Sequence, residues 1–365
     1  MRVGATRRLL AWFARHKRDL PWRAPFPRDP YAVLVAEVMA QQTKVERVAA
    51  AYRRFMARFP DVHALASAPV DAVVHAFSGL GYYRRARLLH RAAVAVSADG
   101  WPPTSLGLRR LPGFGPYTSA AVAAFAFGGD EAPADGNIAR VAARLQASKL
   151  HLGSAALLHL ARTTATALHR QKPLPQVWEA LMELGATVCT PARPSCPVCP
   201  LAAGCVAHAR GNPESYPLPR RVRARERQLW AALWLERDDG HVLLRRVDEG
   251  PLLAGLWLPP FLPARDVRAA RAAARTLAAE AGSPGALAAA PTVRHTITHR
   301  DIRVLPFVRR VSACAASDRD YSWSWQLADA PELPTSSLLG KLARVCRPVL
   351  HQAAPRRAGH RTRVR

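Results

Sequence analysis

Over the first 205 residues, apolar positions recur every three or four residues, the period of helices that bury one face. Leu9, Leu10, Phe13 and His16 or Lys17 keep that spacing and predict a basic amphipathic helix at the start of the chain. Asp29-Pro30 is a helix entry signal, and the periodic pattern it opens runs as far as Phe59. Further helices are predicted over 70–77, 83–98, 116–127, 138–145, 155–171 and 177–188, with no convincing strand among them. The pattern then breaks. Residues 206–228 carry three prolines and six arginines but few large apolar groups, and read as a basic surface linker. Beyond it the period shifts toward two. "LWAALWLE", a turn at Asp238-Asp239-Gly240 and "HVLLRRV" predict a hairpin. A helix over 266–281, strands over 292–299, 302–311 and 321–326, and a last helix after Thr335 complete an α+β domain spanning 229–350. The segment 351–365 is a basic tail without periodicity, and no internal repeat is present.

Charge adds a partner class. The 365 residues include 53 Lys and Arg against 26 Asp and Glu, a net charge of +27 that favours a polyanion, nucleic acid above all. All but five of those cations are Arg and Ala is abundant, so coding bias accounts for part of the excess. No apolar run is long enough to span a bilayer, and the basic N-terminus lacks a signal-peptide core. The expectation is a soluble, monomeric, intracellular protein with no membrane partner.

Four of six cysteines fall within "CTPARPSCPVCPLAAGC", at Cys189, Cys196, Cys199 and Cys205. One C-x2-C pair with two outliers in a proline-braced loop fits an iron–sulfur cluster, zinc, or uncoordinated thiols. Cys314 and Cys346 stand alone and read as small packing groups.

"LPGFGPYTSAAV" joins a tight turn directly to an apolar helix. Gly113 and Gly115 permit positive φ and close backbone approach, and the helix from Pro116 would aim its free N–H groups at a bound anion. The helix–turn–helix around it is either a hairpin that holds a DNA phosphate or an ordinary connection. Two carboxylates accompany it. Glu37 interrupts a helix that is apolar on nearly all sides, where a desolvated carboxyl would keep its proton and serve as a general acid, unless a buried Arg pairs with it. Asp135 stands at the N-cap of the helix beginning "GNIARV". One acid for a leaving group and one carboxylate for a cationic sugar is the arrangement of glycoside cleavage. With DNA as the glycoside, the base must first be flipped out of the duplex.

"EVMAQQT", "GLGYYRRAR", "LPGFGPYTSAA", "DGNIARV" and the four-cysteine loop, in that order, resemble the endonuclease III superfamily of DNA glycosylases, and within it the MutY-type adenine DNA glycosylases. The resemblance covers about residues 7–205. It implies a multidomain chain: an all-α helix–hairpin–helix DNA glycosylase domain over 1–205 with an iron–sulfur loop, followed by an α+β Nudix-like domain. It divides the first domain into a six-helix subdomain at about 24–130 and an iron–sulfur subdomain of 1–23 plus 131–205. It further implies a [4Fe–4S] cluster on the four cysteines and a double-stranded DNA substrate with adenine opposite 8-oxoguanine or guanine. Glu37 matches the acid, Asp135 the carboxylate that stabilises the sugar cation, and Gln42 and Tyr82 the residues that insert beside the oxidised base. Thr43 and Leu80 match neighbours contacting that base, and Trp22, Arg23 and Glu179 the lining of the adenine pocket. Tyr117 stands where strand-breaking relatives carry Lys; a phenol cannot form an imine, so a monofunctional enzyme is implied. In the C-terminal half "GLWLPP" and "RHTITHRDIRV" resemble the family's Nudix-like domain, whose contacting loop often reads Phe-Ser-His. This chain has Ile297, Thr298 and His299 there, and only Glu280 remains of a metal-binding carboxylate helix, so pyrophosphate hydrolysis is not expected. The alternatives within the superfamily are a mismatch thymine glycosylase or a lyase. A cytoplasmic, nucleoid-associated enzyme of bacterial type is the expected setting.

Overall fold

The computed structural model describes residues 4–81, 83–221, 224–247, 252–312, 322–329 and 334–352. The chain divides into two compact units, Met1–Val222 and Arg223–Arg365. No helix among the described residues is long and apolar enough to cross a membrane.

The first unit is helical: α1 (Ala5–His16), α2 (Pro30–Ala40), α3 (Val45–Arg58), α4 (Val62–Ser67), α5 (Val70–Ala76), α6 (Arg84–Asp99), α7 (Ser105–Leu108), α8 (Pro116–Ala126), α9 (Gly136–Leu145), α10 (Ala155–His169), α11 (Gln176–Thr187) and α12 (Val206–Ala209). Helices α2 to α8 pack among themselves, and α1 packs with α9 to α11. The continuous pattern from Asp29 to Phe59 is in fact two helices. Asp29 caps α2 by accepting from Tyr31 N and Ala32 N, and the helix stops at Ala40. Gln42 then takes φ +56 before α3 begins. The periodicity hid a change of kind: α2 is buried nearly all round, whereas α3 buries a single stripe of Val48, Ala51, Tyr52 and Phe55.

The expected linker is corrected in its first part. Helix α12 packs on α9, Tyr216 is buried, and Leu218 exchanges backbone hydrogen bonds with Leu150 and Leu152 at 3.0 and 2.9 Å. Proline excluded a regular helix there, but an irregular backbone can still satisfy its polar groups against a neighbouring chain segment. Residues 222 and 223 lie outside the described residues.

The second unit is a mixed sheet between two helices. Its strands are β1 (Glu226–Arg237), β2 (His241–Arg246), β3 (Trp257–Leu258), β4 (Phe261–Ala264), β5 (Ala288–Ala289), β6 (Val293–Ile297), β7 (Arg300–Val311) and β8 (Trp323–Leu327), with α13 (Val267–Glu280) and α14 (Ser337–Gln352). The predicted hairpin forms, with Glu236 opposite Val242. Strand β1 also runs parallel to β7 from Glu226 opposite Arg300 to Arg237 opposite Val311, and antiparallel to β4. Its alternate residues face opposite cores. Trp230, Ala232 and Trp234 pack toward Leu338, Leu342 and Cys346 of α14, and Leu233 and Leu235 toward Leu277 and Ala278 of α13. Burial on both faces explains why this strand reads as a continuous apolar run. Strands β3, β4 and β5 are too short for a period to show, and their pairings are non-local. Cys346 is a core group as expected, while Cys314 lies outside the described residues.

Candidate active site

Glu37 and Tyr117 meet although eighty positions separate them. Glu37 lies in the last turns of α2 and Tyr117 in the first turn of α8, two helices that pack together. The Tyr117 hydroxyl donates to Glu37 Oε2 at 2.7 Å. Both side chains keep a partly accessible edge, yet protein crowds them on most sides. This poor solvation pushes the Glu37 carboxyl up to about 7; the Tyr117 hydrogen bond and the charge of Arg28 oppose the rise, and Asp135 and Glu179 add to it. The alternative, a Glu neutralised by a buried Arg, does not hold: Arg28 is committed elsewhere. The same desolvation, with the negative charges of Glu37 and Asp135, carries Tyr117 well above the phenol range.

Asp135 caps α9, its Oδ1 accepting from Ile138 N at 2.8 Å and its Oδ2 from Asn137 Nδ2 at 2.7 Å. Desolvation raises its pKa, against the pull of these donors and of Arg140. Asn137 is fixed in turn by Arg140, whose Nη2 reaches Asn137 Oδ1 at 2.9 Å and Gly185 O at 2.6 Å. A side chain at Gly185 would stand 2.6 Å from Asn137 Cβ, so the absent Cβ is what admits Asn137 beside the carboxylate. One carboxylate therefore both caps α9 and lies close enough to Glu37 to raise its pKa.

Below Glu37 runs a buried ion-pair network that sequence reading found only in part. Arg28 grips Glu179 with two bonds of 3.0 and 3.1 Å, stacked on the Phe26 ring with its guanidinium carbon 4.0 Å from the centroid. Arg23 instead donates to Glu183 Oε2 and to the Arg18 carbonyl, both at 2.7 Å. Glu183 also takes Arg18 at 2.8 and 3.1 Å. Of the residues assigned to the adenine pocket, Glu179 lies close enough to Glu37 to raise its pKa, and Arg23 joins Glu183 to Glu179, its Nε 3.5 Å from Glu179 Oε1; Arg28 and Glu183 were not among the predicted residues. Their charges follow no period, and nothing local marks their partners. Trp22 packs edge-on against Tyr52 with ring centroids 5.6 Å apart.

The turn before α8 divides its two glycines. Gly113 adopts φ +81, and a Cβ there would stand 2.8 Å from Leu88 Cβ. Gly115 is corrected: it is extended, at φ −80 and ψ 176, and caps α8 with open space where a Cβ would be. Its bareness leaves the first N–H groups of α8 uncovered rather than relieving strain. Gln42 and Thr43 occupy the break after α2, and Tyr82 lies outside the described residues. Leu80 is buried at 6 % exposure, and its carbonyl accepts from Arg85 Nη2 at 3.2 Å. In the second unit, Thr298 stands at φ +55 in the β6–β7 turn, its hydroxyl donating to Ile297 O at 2.7 Å. His299 Nε2 lies 3.7 Å from Glu226 Oε2, and Glu280 is paired with Arg245 at 3.1 Å.

Cys189, Cys196, Cys199 and Cys205 line one recess together with Arg144 and His208. Among the described residues no three His, Cys, Asp or Glu side chains are placed to share one metal ion. Burial, then the proximity of Cys189, pushes the Cys196 thiol up; burial raises Cys205 and carries Cys199 to about 11. Arg144 reaches Cys189 Sγ at 3.2 Å and the carbonyls of Thr190 and Pro191 at 2.7 and 2.9 Å, placing a cation beside the sulfurs. Four soft sulfur donors lining one recess suit an iron–sulfur group.

Comparison with known proteins agrees with this construction. Residues 35–156 match the HhH-GPD superfamily of base excision DNA repair proteins. The chain is 41% identical over 214 residues to an adenine DNA glycosylase of Rattus norvegicus, covering 56% of this chain and 42% of the rat protein. It is 40% identical over 219 residues to an adenine DNA glycosylase of Mycobacterium tuberculosis, covering 59% of this chain and 71% of the mycobacterial one. The chain thus spans less than half the length of the rat relative. A solved thermostable thymine-DNA glycosylase is similar at a TM-score of 0.50 and 27% identity, over 56% of this chain and 95% of that one. With the matched region containing the Glu37–Tyr117 pair, Asp135 and the hairpin, the chain belongs to the adenine DNA glycosylase family of the HhH-GPD superfamily.

Proposed function

We propose that this protein is a monofunctional adenine DNA glycosylase, which hydrolyses the N-glycosidic bond of adenine opposite 8-oxoguanine or guanine after extruding that adenine from double-stranded DNA. The observation that carries the reading is the 2.7 Å bond from Tyr117 to a Glu37 carboxyl held up to about 7. With the phenol donating to Oε2, the proton of the neutral acid sits on Oε1, free to pass to a ring nitrogen of the extruded base. As the bond to the sugar breaks, its electron pair leaves with the protonated adenine. Asp135, whose donors and Arg140 oppose the rise that burial imposes on its pKa, faces as a carboxylate the cationic sugar that remains. Water supplies the new C–O bond and gives up a proton that restores the Glu37 carboxyl, leaving an abasic site. A phenol offers no amine to trap the sugar, so no strand break follows. Cys189, Cys196, Cys199 and Cys205 would hold a [4Fe–4S] cluster, which would cross-link the loop when bound.

The second unit, read as Nudix-like, would recognise 8-oxoguanine through Thr298 and His299. Glu280 is engaged by Arg245, and the exposed face of α13 carries Arg268, Arg271 and Arg275, which supports recognition over metal-dependent hydrolysis. The likeness to a thymine-DNA glycosylase makes the base the point to test. Purified protein is incubated with duplexes carrying A opposite 8-oxoguanine, A opposite G, and T opposite G. Alkali-labile sites at adenine in the first two are expected; cleavage at T alone, or nicking without alkali, defeats the reading.

A further inference from the structure

One guanidinium joins the acid-bearing helix to both segments that the family resemblance assigns to DNA. Arg85, in the first turn of α6, donates from Nη1 to the carbonyls of Val38, Met39 and Gln41 at 2.7, 3.1 and 2.5 Å. From Nη2 it donates to the carbonyls of Leu80 and Gly81 at 3.2 and 3.0 Å and to Thr43 Oγ1 at 3.4 Å. The Val38 and Met39 carbonyls belong to the last turn of α2, where the helix supplies no further N–H, and the preceding residue is Glu37. The cation also sits at the negative end of that helix. Gln41 directly precedes Gln42, whose φ of +56 needs support from its surroundings.

We propose that Arg85 is a positioning residue, which locks the 41–43 and 80–81 segments to the end of α2 so that entry into the duplex and presentation of Glu37 occur as one rigid movement. The inference rests on the glycosylase reading above. It depends on a planar fork: Nη1 serves the 38–41 carbonyls while Nη2 reaches the 80–81 carbonyls and Thr43, and the three donors of a lysine ammonium radiate from one nitrogen that cannot sit in both places. With Lys, either set of carbonyls can be satisfied, but not both.

The test uses full-length Arg85→Lys, with Arg85→Gln beside it. The single-turnover rate is measured on a duplex with A opposite 8-oxoguanine. Extrusion is read separately from the fluorescence of 2-aminopurine at the adenine position, in a Glu37→Gln background that cannot cleave. Expected for Arg85→Lys are a cooperative melt lowered by no more than about 10 °C by the carbonyls left unpaired, a rate lowered by about tenfold or more, a fluorescence rise cut by about half, and an alkaline limb of the pH–rate profile where the wild type has it. A simple loss of fold would abolish the cooperative transition, and an effect on the acid would move the limb. A folded variant with wild-type rate and fluorescence overturns the proposal, as does a lowered rate with intact fluorescence and a shifted limb. Should both variants fail to fold, hydrogen exchange in the wild type decides: segments 38–44 and 78–84 should open at one common rate, and independent rates refute the coupling. A wild type that removes no adenine would defeat the glycosylase reading itself, whereas an active wild type beside an unaffected Arg85→Lys defeats only this role.

Discussion

Replacing Glu37 by Gln should remove the activity and stabilise the protein in the same step, and the two effects have one cause. Below its ordinary pKa of 4.5 the carboxyl is neutral in both folded and unfolded chains, and the substitution changes little. Between that value and about 7 the unfolded chain releases its proton while the folded site keeps it, so folded stability falls as pH rises. Above about 7 the site must hold a poorly solvated anion. The displacement corresponds to about 3 kcal/mol, trimmed to about 2 kcal/mol because the side chain keeps a partly accessible edge. Gln is isosteric and its carbonyl still accepts from Tyr117, so packing is preserved. The stability advantage of Glu37→Gln should therefore grow from near zero under mild acid to about 2 kcal/mol under mild alkali, or about 4–8 °C in melting temperature for a unit of this size. Thermal melting across a pH series measures it. Base removal should fall by about 10²- to 10⁴-fold, the usual contribution of a general acid, while DNA affinity remains. In the wild type, the rate should decline as pH rises through about 7, where the proton is lost. A stability gap that stays flat with pH would refute the argument even if activity disappeared, because Glu37 would then not be a desolvated acid.

Other substitutions probe the remaining parts. Tyr117→Phe deletes the donor that lowers the Glu37 pKa, so the alkaline limb of the pH–rate profile should move upward; an unmoved limb would mean the contact does not tune the acid. Tyr117→Lys should yield a covalent adduct that borohydride traps, and its absence would contradict the account of this position. Asp135→Asn should keep the helix cap, because Asn caps about as well as Asp, yet abolish turnover with little change in melting; a large drop in stability would reduce the residue to a structural cap. Gly113→Ala should cost about 1–3 kcal/mol from its positive φ and the close Leu88, whereas Gly115→Ala should leave folding within about 0.5 kcal/mol, as urea unfolding of both variants will show.

Much of the chemistry was legible along the chain because its signals are local. Glu37 betrays itself as a charge in an all-apolar helix, Asp135 as a cap, Tyr117 by the turn it closes, and the cysteines by their spacing. Helix and strand periods likewise marked most elements to within a few residues. What sequence alone could not supply were relations between distant positions. The parallel pairing of β1 with β7 joins residues more than seventy apart, and no local period encodes a partner. The break after α2 was masked because two helices in different surroundings happened to keep one rhythm. Arg28, Glu183 and Arg85 are ordinary members of an arginine-rich chain until folding sets each beside the carboxylates or carbonyls it serves. Sequence thus determined which groups are present and which helices carry them. Only the tertiary structure decided which are desolvated together, and that shared loss of water is what turns Glu37 from a surface anion into an acid that keeps its proton near neutral pH.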